Sequence, residues 1–473
     1  MKYIPVTFGI DFNDDIPMLF GSFCKFACYA AKNGWPIIAQ EQYFDTLKKY
    51  NQKFLEEVYE INEIEVLNDE TLNNLDKFII KKSQTNKVIK EFGNKNDAWI
   101  KLMNEKSEEL FSILDNKIND ILKIYNDIGA IIVWRHNHTV SLIAKKYGLP
   151  VIEMELSGVR KRIYKFGLSY FQFTKKYTRQ ELDKRYDEFK KELSNYKKEL
   201  PFLTRKEILC LILNEDKLKL LEKEEKYDIG IALGLQKDFE TISSGSITNE
   251  EILENVLKIE KENNILIRKH PLDANYKYDM EDLFTVDKSS SSIEFLTKCH
   301  KIISSVSNIN FEAMLLGKTC YTLGKMPFAR FSYETLKYND EYVINIYDLN
   351  FLFFCYYVPY SLCLENDYLD FRLSNPTQIQ IYLKHYNFIK DKIMVNNNSK
   401  FDFNDISIRS KYLKEKNQII KLKERVEKLD NENKAIIISN EELTKEIKGM
   451  VNSKSWKITK PLRKITSYIS RKN

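Results

Sequence analysis

Two short stretches carry residue types that can hold a phosphate and act at a sugar carbon. Lys269-His270-Pro271 follows the apolar run Ile265–Arg268, and Ser304-Ser305-Val306-Ser307-Asn308 follows the run Lys301–Ser304. A His behind a buried strand can donate to a phosphate or a leaving oxygen, and the Pro fixes the turn. Arg268 and Lys269 add positive charge. Hydroxyls and backbone N–H groups ahead of a helix, here Ile309–Leu316, make a phosphate cradle without a P-loop lysine. Glu312, one turn into that helix, stands where a carboxylate accepts from ribose hydroxyls; an exposed helix Glu is the ordinary alternative. Gln236 and Asp238 follow the run Ile229–Leu233. A carboxylate there is a candidate base or nucleophile toward an anomeric carbon. The plain alternatives are a His at a strand end and Ser or Asn as helix caps.

Short apolar runs alternating with helical patterns are expected to form a parallel sheet with crossover helices. The expected strands are Ile229–Leu233, Ile265–Arg268, Leu283–Val286, Lys301–Ser304 and Thr319–Leu323. Ligands of such sheets lie outside the carboxyl ends of the strands. The polar clusters, with Gly324-Lys325-Met326-Pro327, should therefore converge on one rim, which reads as a nucleotide-sugar site. A second unit precedes it: strand Ala130–Val133, turn Trp134–His138, helix Thr139–Tyr147, stop Gly148-Leu149-Pro150 and strand Val151–Met154. Its strand ends carry Arg135, His136, Asn137 and His138, then Glu153, Glu155 and Arg160. Glu153 and Glu155 are two apart and so share one strand face. Arg135, Glu153 and Arg160 are candidates for acceptor or sugar contact. Upstream, Tyr3–Ile10 reads as a strand, Asp11–Asp15 as an acidic loop and Pro17–Lys32 as a helix, and residues 41–126 read as several amphipathic helices.

The whole is an α/β chain with two Rossmann-like domains. The expected divisions are 1–200, an acceptor-side domain with helical insertions; 201–345, a donor-binding domain; and 346–411, helices returning to the first domain. A coiled coil at 412–452 and a basic amphipathic tail at 453–473 complete it. Ile419, Leu422, Val426, Leu429, Asn433, Ile436, Asn440, Leu443, Ile447 and Met450 alternate in spacings of three and four. Asn at two successive a positions fits a parallel two-stranded coiled coil, hence a homo-oligomer; a single helix packed on the body is the alternative. The tail SKSWKITKPLRKITSYISRKN has seven Lys or Arg and no acid, with Trp456, Ile458, Leu462 and Ile465 among its apolar residues. That pattern favours an anionic lipid surface over a free basic tail.

The chain has 473 residues, 43% hydrophobic, with a net charge of +6. That is enough apolar content for real cores, and too little charge to indicate a nucleic-acid binder. Seven scattered Cys without paired metal-ligand spacing point to a reducing compartment, and Cys24 and Cys28 to buried free thiols on one helical face. Acids in MKYIPVTFGIDFNDD argue against a signal peptide. No apolar run reaches the roughly 18 residues of a membrane span. The expected location is cytoplasmic, with peripheral contact at the inner face of the membrane.

These residues resemble the β-Kdo glycosyltransferases of bacterial capsule and lipopolysaccharide assembly, which are GT-B-like retaining enzymes using CMP-Kdo. FEAMLLGK after the serine turn and Gly324-Lys325-Met326-Pro327-Phe328-Ala329 are similar to the family's Phe-Glu-Ala-Leu-Leu-x-Gly-Lys helix and Gly-x-Pro-Phe run. Lys269-His270-Pro271 is similar to its His-Pro turn, and Leu235-Gln236-Lys237-Asp238 to its Gln-x-x-Asp segment, with one residue fewer between Gln and Asp. Glu155–Gln172 is similar to a Glu-Leu-Gly-x-x-Arg…Tyr-Phe-Asp pattern, with Ser157 for Gly and Gln172 for Asp. The tail resembles the Ser-x-Ser-Trp ending of cell-surface polysaccharide glycosyltransferases. The resemblance implies Asp238 as nucleophile. Glu155 or Glu153 would serve as base or acceptor-orienting group. Gln236, Lys269, His270, Pro271, Ser304, Ser305, Ser307, Asn308 and Glu312 would stand around a CMP-sugar, with a glycan or glycolipid acceptor and no metal or cofactor. A UDP- or GDP-sugar transferase on the same fold, or a non-catalytic assembly or export factor, are the rival readings.

Overall fold

The first strand, β1 (Lys2–Thr7), is buried from Tyr3 onward. Continuous burial marks a strand covered on both faces, as parallel sheets require. β1 pairs in parallel with β2 (Pro36–Gln40) on one side and with β4 (Ile128–Trp134) on the other. β3 (Asp76–Ile80) adds to β2, and β5 (Val151–Leu156) to β4, both in parallel. The order of this seven-stranded sheet is β12-β6-β5-β4-β1-β2-β3, where β6 is Leu168–Gln172 and β12 is Val358–Pro359. β6 and β12 pair antiparallel. The structure, a computed structural model, describes residues 1–10, 16, 17, 19–49, 73–161, 163–173, 179–235, 247–260, 264–273, 276–278, 281–336 and 343–395, with scattered residues from 425 to 459.

Alternate side chains of these strands feed two cores. Tyr3, Ile37, Ala39, Ala130, Ile132, Ile152 and Met154 pack with Phe20, Phe23 and Phe26 of the helix Phe20–Asn33. Their neighbours Ile4, Val6, Ile38, Ile131 and Val133 pack with Leu110, Leu114, Ile118 and Ile121 of the helix Glu108–Ile124. This is the strand period of two, covered by a helix on each face. Gly34 ends the first helix at φ 61°, a left-handed cap whose N–H bonds Ala30 O. Cys24 and Cys28 lie buried and unbridged in that helix.

The second sheet is wholly parallel, with order β11-β10-β7-β8-β9. Its strands are β7 (Tyr227–Ala232), β8 (Ile265–Arg268), β9 (Thr285–Val286), β10 (Cys299–Ser304) and β11 (Thr319–Thr322). Ile229, Ile231, Ile265, Ile267 and Ile303 form its core with Ile252, Leu253 and Val256 of the helix Asn249–Leu257. The chain then returns to the first sheet. β12 joins β6, the Tyr3 hydroxyl donates to Asp370 at 2.5 Å, and Tyr29 donates to Glu365 at 2.9 Å. The helices Arg179–Asn195 and Gln378–Val395 run together, with Arg185 donating to Cys355 O at 2.5 Å and to Gln378 at 3.2 Å.

Several elements differ from the sequence expectation. β3 lies inside the stretch read as helical. It is a five-residue edge strand with Ile79 exposed, and its partner Pro36–Gln40 is some 40 positions away along the chain. β6 was not anticipated. The expected strand Leu283–Val286 is reduced to Thr285–Val286, because Glu281–Leu283 forms a 3-10 turn and Leu283 is exposed. The described residues fall into two compact units, 1–198 with 202–403, and 199–201 with 404–473. In the second unit residues 442–451 are helical, with Leu443, Ile447 and Met450 exposed. Ile419, Leu422, Val426 and most of the basic tail lie outside the described residues. Among the described residues no helix is long and apolar enough to cross a membrane.

Candidate functional site

The carboxyl ends of β8, β7 and β10 are adjacent, with β7 in the middle. His270 follows β8 and is half-buried; Pro271 opens a 3-10 turn whose Asp273 N–H bonds His270 O at 2.9 Å. Ser304 closes β10. The Oγ atoms of Ser304 and Ser305 are buried with no hydrogen-bond partner among the described residues. Buried polar atoms are almost always paired, so these two hydroxyls without protein partners set this strand end apart. Between them, the exit of β7 is pinned at Gly234, whose N–H and C=O bond the Asn249 amide at 3.0 and 2.9 Å. Gln236 and Asp238 lie outside the described residues.

The cations expected to face a phosphate are engaged locally. Arg268 donates to Asp287 at 2.6 Å, and Lys298 holds the other oxygen at 2.9 Å. Against the opposing effect of burial, hydrogen bonds from Ser289, Lys298 and Arg268 hold the Asp287 carboxyl below its ordinary range. Lys269 lies on Glu281 at 3.0 Å and on Tyr276 O at 2.9 Å instead.

Asn308 and Glu312 do a different job from the one expected. Asn308 makes no side-chain cap. Its amide donates to Leu156 O at 3.3 Å and accepts from Tyr170 at 3.2 Å, across to the first sheet. Ser307 accepts from Ile309 N at 3.3 Å. Glu312 is fully buried rather than exposed to a ribose. It accepts from Tyr164 at 2.5 Å and from Ser292 at 2.8 Å. Burial pushes its carboxyl up to about 7, offset in part by Tyr164, Ser292, Arg160 and Arg268. Gly158 passes so close that a Cβ there would meet Asn308 O at 2.6 Å and Glu312 Cγ at 3.1 Å. Tyr164 and Ser292 carry no signal in the sequence, because their partner is 148 and 20 residues away.

The facing rim is built at the ends of β4 and β5. Arg135 sits at φ 70°, in the left-handed region that non-glycine residues rarely adopt. Its backbone N–H bonds Met154 O at 2.9 Å, and its Nε donates to Glu155 Oε2 at 2.6 Å. Glu155 Oε1 accepts from Leu156 N at 2.9 Å. Next along, His136 Nδ1 lies 2.5 Å from Glu153 Oε1, with the side chains only 4% and 2% exposed. Glu153 pairs in register with Gln172, whose Nε2 is buried without a partner among the described residues. Arg160 is exposed; its Nε donates to Ser157 O at 3.4 Å, and its carbonyl accepts from Ile163 N and Tyr164 N at 2.9 and 2.8 Å. Arg135, His136 and Asn137 line a narrow cleft with Phe8, Trp99 and Met103.

Residues 15–178 match the model of the glycosyltransferase 99 family N-terminal domain. The chain is thus similar, over the segment that holds β2 to β6, to a glycosyltransferase family. No curated protein matches the chain. Among solved structures it is similar to the β-Kdo 2,7 transferase of Thermosulfurimonas dismutans KpsC, at 15% identity and a TM-score of 0.33, covering 56% of this chain and 89% of that one. It is similar to the β-Kdo 2,4 transferase of the same organism at 14% identity and a TM-score of 0.29, covering 47% and 78%. The UDP-GlcNAc 2-epimerase of Neisseria meningitidis matches at 12% identity and a TM-score of 0.31, covering 84% and 100%.

The segment similar to glycosyltransferase 99 contains Arg135, His136, Glu153, Glu155 and Arg160. It ends just past β6, where Gln172 lies beside Glu153. In this segment Ser157 stands where the resemblance expects Gly. The close backbone approach falls one residue later, at Gly158.

Proposed function

We propose that this chain is a glycosyltransferase of surface-polysaccharide assembly. It transfers a sugar acid, with Kdo favoured, from a CMP-activated donor to a glycan or glycolipid, with retention. The observation that carries this reading is the match of residues 15–178 to the glycosyltransferase 99 N-terminal domain. The unpartnered hydroxyls of Ser304 and Ser305, on the same sheet rim as His270 with the end of β7 between them, support a donor phosphate there. In this reading Asp238 attacks the anomeric carbon as the nucleotide phosphate leaves. The acceptor hydroxyl then displaces Asp238 and loses its proton. Cytidine monophosphate is already a good leaving group, so the scheme requires no metal. The heptad 412–452 pairs two copies and the basic tail rests on anionic lipid.

The test is a panel of CMP-Kdo, CMP-sialic acid, and several UDP- and GDP-sugars, offered singly to the purified chain. Thermal stabilisation and slow nucleotide release confined to CMP compounds are the expected result. A response to UDP- or GDP-sugars alone overturns the donor class. No response to any of them favours a non-catalytic assembly factor.

A further inference from the structure

The proton of the acceptor hydroxyl needs a base, and both rim carboxylates are committed elsewhere. Glu155 holds Arg135 through one oxygen and its neighbour's backbone N–H through the other. Glu153 faces His136. We propose that His136 is the catalytic base of transfer, with Glu153 as the residue that positions it. The inference rests on the function proposed above.

The geometry follows the logic of a buried carboxylate orienting an imidazole. A carboxylate only accepts, so the ring presents Nδ1–H to Glu153, and the neutral form of that ring carries its lone pair on Nε2. Nε2 has no protein partner among the described residues, although the His136 side chain is 96% buried. His136 lines the cleft at the end of β4. The enclosed room there is about 20 Å³. That is space for about one water, or for one hydroxyl. Apolar Phe8, Trp99 and Met103 line the cleft with Arg135 and Asn137, so a hydroxyl entering it leaves bulk water beside His136. The ring cannot drift. It follows Arg135, fixed at positive φ by Met154 O and Glu155, and it precedes Asn137, which caps the helix His138–Lys146 by accepting from Val140 N. The charged and titratable groups around it are Glu153 from β5, Arg135 with Glu155, and His138, whose ring centroid is 6.4 Å away. In the step itself Nε2 takes the acceptor proton as the acceptor oxygen bonds the anomeric carbon. The bond from that carbon to the Asp238 carboxylate breaks, and its electron pair returns to the carboxylate.

The experiment compares wild type, His136→Ala, His136→Gln and Glu153→Gln in the full chain, with donor-induced thermal shift and transfer to acceptor both measured. Loss of a general base reduces turnover by about a hundredfold or more. Both His136 variants are expected to keep the donor-induced shift and lose transfer on that scale, mainly in kcat. Added imidazole is expected to restore part of the activity of His136→Ala, which a structural role would not allow. Glu153→Gln is expected to keep donor binding and shift the acidic limb of the pH–rate profile. Transfer by either His136 variant close to the wild-type rate overturns the assignment, as does a loss in donor-binding protein that imidazole leaves unchanged. Wild-type protein inert to every nucleotide sugar removes the proposed function, and this inference with it.

Discussion

Glu312 is where one residue's chemistry has consequences for the whole chain. Its carboxyl is fully buried and titrates near 7 rather than 4.5, chiefly because burial disfavours the charge. The folded state therefore holds this proton more tightly than the unfolded chain does. The stabilisation is complete below about 4.5 and is lost as pH rises through about 7. Glu312→Gln keeps an acceptor for Tyr164 and Ser292 and has no charge to bury. We expect it to flatten the dependence of Tm on pH between about pH 5 and about pH 8 and to raise Tm at the upper end by roughly 2–4 °C. Thermal unfolding across that range checks it; an unchanged pH dependence would show that Glu312 does not titrate between native and unfolded states in this window.

At the scale of elements, the sheets are joined by segments that bond sideways rather than along the chain. Asn350, fully buried, donates to Leu203 O at 2.7 Å and Ile346 O at 2.8 Å. Its carbonyl accepts from Leu203 N at 2.9 Å and Tyr382 at 3.0 Å. One amide thus ties the lead-in to the helix Arg205–Ile212 to two of the returning helical segments. Asn350→Ala leaves both backbone groups of Leu203 without that partner, and the expected loss is about 3 kcal/mol. Urea unfolding should report it as a lower midpoint at an unchanged m-value. A loss below about 0.5 kcal/mol would mean that water or a neighbour replaces the amide.

At the scale of the molecule, the two compact units divide the expected work. The first unit holds every described rim residue. The second carries the described part of the heptad, with Leu429, Ile436, Leu443, Ile447 and Met450 all exposed. Such a stripe is stable in water only against another apolar face. We expect a chain ending before residue 412 to sediment as a monomer, to leave anionic vesicles unbound, and to retain transfer to a soluble acceptor. Self-association or vesicle binding that survives the deletion would place those surfaces in the first unit instead.

The sequence by itself determined the second sheet almost strand for strand, because buried parallel strands are continuous apolar runs and their polar ends mark the rim. It also identified β1, β4 and β5 and placed Arg135, His270 and the serines at strand ends, whereas Glu153 and Glu155 fall inside β5, which runs on to Leu156 and pairs with β6. It did not yield β3, β6 or β12, which are short and lie at or near an edge, where pairing with a distant partner outweighs weak local pattern. Nor could it tell a committed side chain from an available one. Lys269 and Glu312 read as ligand-facing, yet Glu281 and Tyr164 engage them, and only the tertiary structure brings those partners within reach. The same holds for His136: a His at a strand end is unremarkable in sequence, and its meaning comes from Glu153, 17 residues on and 2.5 Å away.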